Sequence, residues 1–183
     1  MKQNILKISL YALSLACLPV AAQNMLSIEA PTGISLVYGL DYHPVWYTQI
    51  KPTFGFAWTR VDFLGESSEL QYALIVEQRY YYNMLKRQSK GKNTLNKSAN
   101  FFSIKSGYIL SRVDSYDLFT QITGIDKYNT HTYYGTVNWG LRRAMGKRFY
   151  FDGSIGLGPT YLTYNKKWDV MFDLTVNIGF KLF

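Results

Sequence analysis

The stretch VMFDLTVNIGFKL, residues 170–182, decides the fold. Val170, Phe172, Leu174, Val176, Ile178, Phe180 and Leu182 share one parity, and Met171, Asp173, Thr175, Asn177, Gly179 and Lys181 share the other. Successive side chains of an extended chain point to opposite faces, so seven apolar residues in strict alternation describe a strand with one apolar and one polar face. A helix would scatter the same seven around its circumference.

The pattern recurs upstream. Segment 148–164 sets Phe149, Phe151, Ile155, Leu157 and Tyr161 against Tyr150, Asp152, Ser154, Gly156, Gly158 and Thr160. Segment 131–143 sets Tyr133, Val137, Trp139 and Leu141 against Thr132, Tyr134, Thr136, Asn138 and Arg142. In 100–112 Phe102, Ile104, Tyr108 and Leu110 oppose Phe101, Ser103, Lys105, Gly107 and Ser111. In 69–83 Leu70, Tyr72, Leu74, Val76, Tyr80 and Tyr82 oppose Glu69, Gln71, Ala73, Glu77, Arg79 and Asn83. Segments 46–60 and 33–42 follow more loosely, with Ile50, Phe54, Phe56, Trp58 and Ile34, Leu36, Tyr38, Leu40 as apolar faces. An eighth strand is expected at 24–29, turned by Ala30-Pro31-Thr32-Gly33.

Alternation alone fits a soluble sandwich, apolar face inward, or a membrane barrel, apolar face to lipid. Three features favour the second. Strands of 10–15 residues exceed the usual soluble length of about 5–6. The polar faces carry mid-strand charges among small Gly and Ser, as a narrow polar interior requires. Aromatics gather near strand ends: Tyr42, Trp46, Tyr47, Tyr80, Tyr82, Phe149 and Phe151 on one side, Trp58, Tyr133, Tyr161 and Trp168 on the other, like two interfacial girdles. The expected fold is all-β, a transmembrane up-and-down antiparallel β-barrel of eight strands over residues 23–183. Turns at 43–45 and 144–147 are then short and on the side of the C-terminus, and connections 61–68 and 113–130 are longer and external. Connection 84–98 is long despite lying on the short-turn side.

Ahead of this domain, Lys2 and Lys7 precede an apolar run from Ile8 to Val20 that ends in Val20-Ala21-Ala22. This reads as a secretory signal, residues 1–22, cleaved before Gln23. The chain's single cysteine, Cys17, falls inside it, so the mature chain has neither a disulfide framework nor a multi-cysteine zinc site. Its 18 basic residues against 12 acidic leave it cationic. No later stretch approaches 18 consecutive apolar residues, so no helical membrane span is expected.

One block of sequence carries a resemblance: Glu77, Arg79-Tyr80-Tyr81-Tyr82-Asn83, Lys86-Arg87, Lys90-Gly91-Lys92-Asn93-Thr94 and Asn96-Lys97-Ser98-Ala99-Asn100-Phe101. With the barrel pattern around it, this strand–basic loop–strand unit resembles small eight-stranded outer-membrane β-barrel proteins of the Bacteroidetes type, with the architecture of the OmpA/OmpX group. The resemblance implies the outer membrane of a Gram-negative bacterium, with outer-membrane lipid and the assembly machinery as partners, and implies no catalytic residues. The terminal Phe183 departs from the familiar assembly signal, being out of phase with the stripe of Ile178, Phe180 and Leu182.

Glu77, Arg79, Lys105, Arg142, Asp152, Asp173 and Lys181 are expected to face the lumen. An eight-stranded bore holds little beyond side chains, and an unpaired buried charge is costly, so pairing into a plug is the main reading and a narrow diffusion pore the alternative. Lys86, Arg87, Lys90, Lys92 and Lys97 put five cations and no acid into the 84–98 loop, read either as a flexible solvated connector that anchors the barrel at the inner-leaflet interface or as a contact for anionic headgroups or a periplasmic polymer. Gly91-Lys92-Asn93-Thr94 is no phosphate loop, lacking the upstream Gly and a following helix. His43 and His131 are the only histidines. No G-x-S-x-G elbow or H-x-S arrangement accompanies them. A pair of His131 with Asp114 or Asp126 is the one arrangement that could activate a nucleophile, as in a lipid-modifying enzyme. No cofactor or metal is expected. Nucleic acid is not an expected partner, because the chain is exported and its basic residues are scattered or confined to one loop. The leading expectation is a non-enzymatic structural or interaction protein meeting partners through loop 113–130.

Overall fold

A computed structural model describes residues 25–31, 33–61, 65–116 and 127–182. The strands are β1 (Met25–Pro31), β2 (Ile34–Leu40), β3 (Trp46–Val61), β4 (Gly65–Tyr80), β5 (Asn100–Tyr116), β6 (Lys127–Met145), β7 (Phe149–Leu162) and β8 (Lys167–Lys181). Each pairs antiparallel with its neighbour in chain order, and β1 pairs with β8 (Ser27 opposite Lys181, Pro31 opposite Asn177), closing the ring as an eight-stranded barrel. The all-β, up-and-down topology expected from the alternation is the one observed. Over the height of β1 and β2, closure satisfies the sheet edges that an open sheet would expose.

The polarity is inverted relative to a soluble protein. Val137, Leu157, Phe172 and Leu174 stand 63–64% exposed on the outer surface, whereas Arg79, Glu77, Arg142 and Asp152 on the inner surface are at most 1% exposed. The outer face carries aromatic pairs toward each rim: Trp46–Tyr80, Tyr82–Phe102 and Phe149–Phe180 at one, Tyr108–Tyr133 and Tyr161–Trp168 at the other. Tyr47 does not belong to the first group. Its parity on β3 turns it inward, where it is buried.

The bore is filled by rings placed against glycines. Tyr47 lies over Gly39, Tyr134 over Gly107, Phe101 over Gly140 and Tyr150 over Gly179, each ring occupying the space that a Cβ would take on the neighbouring strand. These four glycines are therefore the complement of inward aromatics, whereas Gly156 makes room for the Asn138 side chain and Gly158 for the backbone of β6.

Three boundaries differ from expectation. β4 begins at Gly65 and ends at Tyr80, so Asn83 is not on the polar inner face. Instead Tyr81 is buried, its N–H donating to the Val45 carbonyl (2.7 Å), and Asn83 accepts from the Asn100 N–H (2.9 Å). Residues 84–98 are not a flexible loop. They form helix α1 (Met84–Ser89) and a 3₁₀ turn (Leu95–Lys97), pinned by Met84, which packs with Tyr47, Tyr81, Ala99 and Phe101. Apolar residues beneath a polar, cationic outer side supply the anchor that the charge count alone hides.

β2 is the third difference, seven residues where 33–42 is expected, so that with the short β1 it makes a hairpin of seven-residue strands between neighbours of 16 and 15. Beyond their hairpin, β3 from Gly55 and β8 below Asn177 are paired on one side only among the described residues. The wall is thus lower on this side. The expected leader 1–22, the Phe56 and Trp58 side chains and most of connection 113–130 lie outside the described residues.

Candidate functional site

Two features could carry function: the charged bore and the basic end at which β1 begins and β8 ends. In the bore, β7 projects Asp152 between two guanidinium groups. Arg79 from β4 grips it with both terminal nitrogens (2.6 and 3.2 Å), and Arg142 from β6 donates from Nε (2.7 Å). Arg79 also donates to Glu77 (3.0 Å), which accepts from Gln49 (2.5 Å). Glu29 of β1 extends the cluster, facing Arg142 (3.4 Å) and Lys51 (3.1 Å) and accepting from the Tyr150 hydroxyl (2.9 Å) and the Asn177 amide (3.2 Å). Phe101 and Tyr150 present their ring faces to Arg79 and Arg142, at 4.1 and 4.3 Å from the guanidinium carbon.

Farther along the bore, Lys105 of β5 reaches Asp173 of β8 (2.7 Å), with Thr136 and Thr175 donating to the same carboxylate (3.2 and 3.0 Å). Lys51, Arg79, Lys105 and Arg142 thus face Glu29, Glu77, Asp152 and Asp173, a charge balance of zero. Among the described residues three of the six bridges cross the bore rather than run along one wall. β4 reaches β7, β5 reaches β8, and β6 reaches β1.

Of the seven residues expected in the lumen, Glu77, Arg79, Arg142 and Asp152 come together and Lys105 joins Asp173 separately. Lys181 joins neither. It is half-buried at the mouth because β8 ends there, past the layer of Glu29. Sequence reading missed Glu29, Lys51 and Gln49. All three lie on the inward parity of β1 and β3, opposite Ile28 and Ile50, and could have been found by extending the alternation through those looser segments.

The mouth beside β8 is strongly cationic. Lys86, Arg87, Lys90, Lys92 and Lys97 of the 84–98 cap, Arg143 at the end of β6, Lys147 and Arg148 in the following turn, and Lys181 gather there, with Asp41 the one carboxylate side chain outside the bore at this mouth among the described residues. Lys97 is tied down, paired with Asp41 (2.6 Å) and donating to the carbonyls of His43 and Pro44 (2.9 and 3.1 Å). Arg87 donates to the Asn93 carbonyl (3.0 Å). Lys86, Lys90 and Lys92 are exposed. The cap is stitched to the barrel by Arg142 N–H to Ala99 O (2.8 Å), Ala144 N–H to Ser98 Oγ (3.2 Å) and Asn96 Nδ2 to Lys147 O (3.2 Å). Between the cap, the 41–45 turn and the barrel rim lies a pocket of about 550 Å³.

His131 stands on the outer face near the opposite rim, its Nδ1 2.6 Å from the Tyr108 hydroxyl. The carboxyl groups of Asp114 and Asp126 lie outside the described residues. His43 accepts from the Val45 N–H within its own turn (3.3 Å). Among the described residues no three His, Asp or Glu side chains come together as metal ligands.

No protein-family model matches the chain, and no curated protein is significantly similar to it in sequence. Among solved structures the chain is similar to two Acinetobacter baumannii proteins. For CarO2 the identity is 8%, the TM-score 0.47, and the match covers 87% of this chain and 99% of that one. For CarO the identity is 11%, the TM-score 0.44, and the match covers 90% and 98%.

Proposed function

We propose that this protein is a Gram-negative outer-membrane barrel with a structural or interaction role, non-enzymatic, its bore occluded rather than conducting. One observation carries the reading: the apolar side chains cover the outside of a closed ring and the charges are paired within it. Water cannot accommodate such an exterior without aggregation, whereas hydrocarbon can. Phe180 and Trp168 stand twelve residues apart on β8. At about 3.3 Å per residue and the usual 35–45° tilt, that is roughly 30 Å of height, close to the ~25 Å apolar band of such barrels. Bridges such as Arg79–Asp152 and Lys105–Asp173 span the bore, and the inward rings of Phe101, Tyr134 and Tyr150 take up space between them.

The cationic end then faces the periplasm with the C-terminus, and its exposed Lys86, Lys90 and Lys92 are placed to attract inner-leaflet headgroups or envelope polymer within a Debye length. The occluded bore has a direct test. The purified protein in a planar lipid bilayer is expected to give no discrete conductance steps at neutral pH. Regular openings at wild-type sequence would replace this reading with the diffusion pore.

A further inference from the structure

The pocket at the cationic end is a binding site for a short peptide with a free carboxylate: this is what we propose, from the chemistry of its walls. The pocket, about 550 Å³, is within the size range of small-molecule sites and would hold two or three residues. Its location fixes the side from which a ligand comes. Cap, 41–45 turn, 146–148 turn and the end of β8 ring it across the barrel mouth, so it opens to the aqueous phase and not to lipid.

Three kinds of group line it. Lys97, Lys147 and Lys181 are cationic, and only Lys97 is neutralised, by Asp41. The ammonium groups of Lys147 and Lys181 have no ion pair or hydrogen bond among the described residues, so the pocket retains two uncompensated positive charges. Met25, Met84 and Leu95 supply apolar wall, which an inorganic anion or a bare headgroup phosphate would leave unused. Gln88, Thr94 and Asn96 supply side-chain donors and acceptors of the kind that satisfy peptide amides.

The rim is also held in place at a cost. Asn96 and Lys97 both adopt the left-handed conformation (φ 51° and 61°), unfavourable for consecutive non-glycine residues. This conformation goes with the Asn96 contact to Lys147 and the Lys97 contact to Asp41, which join the cap to the two turns across the pocket. Strain of this sort is retained where the surroundings over-determine it, as at ligand clamps.

The orientation proposed above enters only in naming the periplasm as the source of the peptide; binding itself is measured in detergent and stands or falls separately. The full chain, folded in micelles, is titrated calorimetrically with N-acetyl-D-alanyl-D-alanine, with its C-terminal amide, and with inorganic phosphate. Saturable binding is expected for the free acid alone. Replacing Lys147 and Lys181 by Gln should weaken it about tenfold or more, as loss of charge-assisted hydrogen bonds does. Lys86→Gln with Lys90→Gln, outside the pocket, should leave it unchanged. In the wild-type chain, the free acid should slow reductive methylation of Lys147 and Lys181 but not of Lys86, a readout that needs no variant. Absence of saturable binding, equal binding of the amide or of phosphate, or equal methylation of all three lysines would overturn the assignment.

Discussion

Asp152 is the residue on which most of the bore depends. It holds two buried guanidinium groups at once, so removing it leaves Arg79 with Glu77 and Arg142 with Glu29 as their remaining acidic partners and one buried positive charge in excess. Asp152→Ala is expected to lower stability by about 3–5 kcal/mol, the usual effect of breaking a buried pair from one side. It would read as a lower urea midpoint of unfolding in detergent, and a midpoint within error of wild type would show that the cluster does not hold the barrel. Packing makes a second demand at Gly179, whose missing side chain makes room for the ring of Tyr150. Gly179→Ala is expected to cost about 1–3 kcal/mol by overpacking, measured the same way. Such partners were only half legible. That Glu77, Arg79, Arg142 and Asp152 point inward follows from period two, a local property. Which of them meet depends on how eight strands wrap, and Arg79 meets a residue 73 positions away.

Among the elements, the 84–98 cap departs most from a reading based on charge. Five cations without an acid suggest a solvated loop, whereas Met84 beneath them, with Tyr81 and Ala99 at its two ends, anchors a folded unit. Limited trypsin digestion should distinguish these. Cleavage is expected first after Lys90 or Lys92, which flank Gly91 on the exposed side, and much later after Lys97, which is held by Asp41. Equal cleavage at all three would mean that the cap is not folded. The short β1–β2 hairpin has its own signature. Amides of β8 below Asn177, residues 167–176, are expected to exchange with deuterium faster than those of β4 and β5, which are paired on both sides along their length. Its brevity was readable in Pro31 and Gly33, but the length of its neighbours was not, since looser alternation blurred where β3 ends.

For the molecule as a whole, everything rests on which face of the barrel meets lipid. Strand number, order and parity were legible because a one-residue slip would exchange every inward and outward side chain. Which rings fill the narrow bore was not, since that depends on the register that sets each aromatic against a glycine of the neighbouring strand. A lysine at Leu174 or Ile155, both on the outer face, is expected to cost about 2–4 kcal/mol at mid-membrane depth and to impair insertion. The most direct measurement is a cysteine scan of residues 170–178, made possible because Cys17 is the only cysteine and can be replaced by Ser. Each variant is reconstituted in lipid bilayers, labelled with a nitroxide and assayed for collisions with oxygen, which concentrates in hydrocarbon. The predicted result is alternation, with high accessibility at 170, 172, 174, 176 and 178 and low accessibility at 171, 173, 175 and 177. The opposite phase, or no alternation at all, would contradict the inside-out barrel.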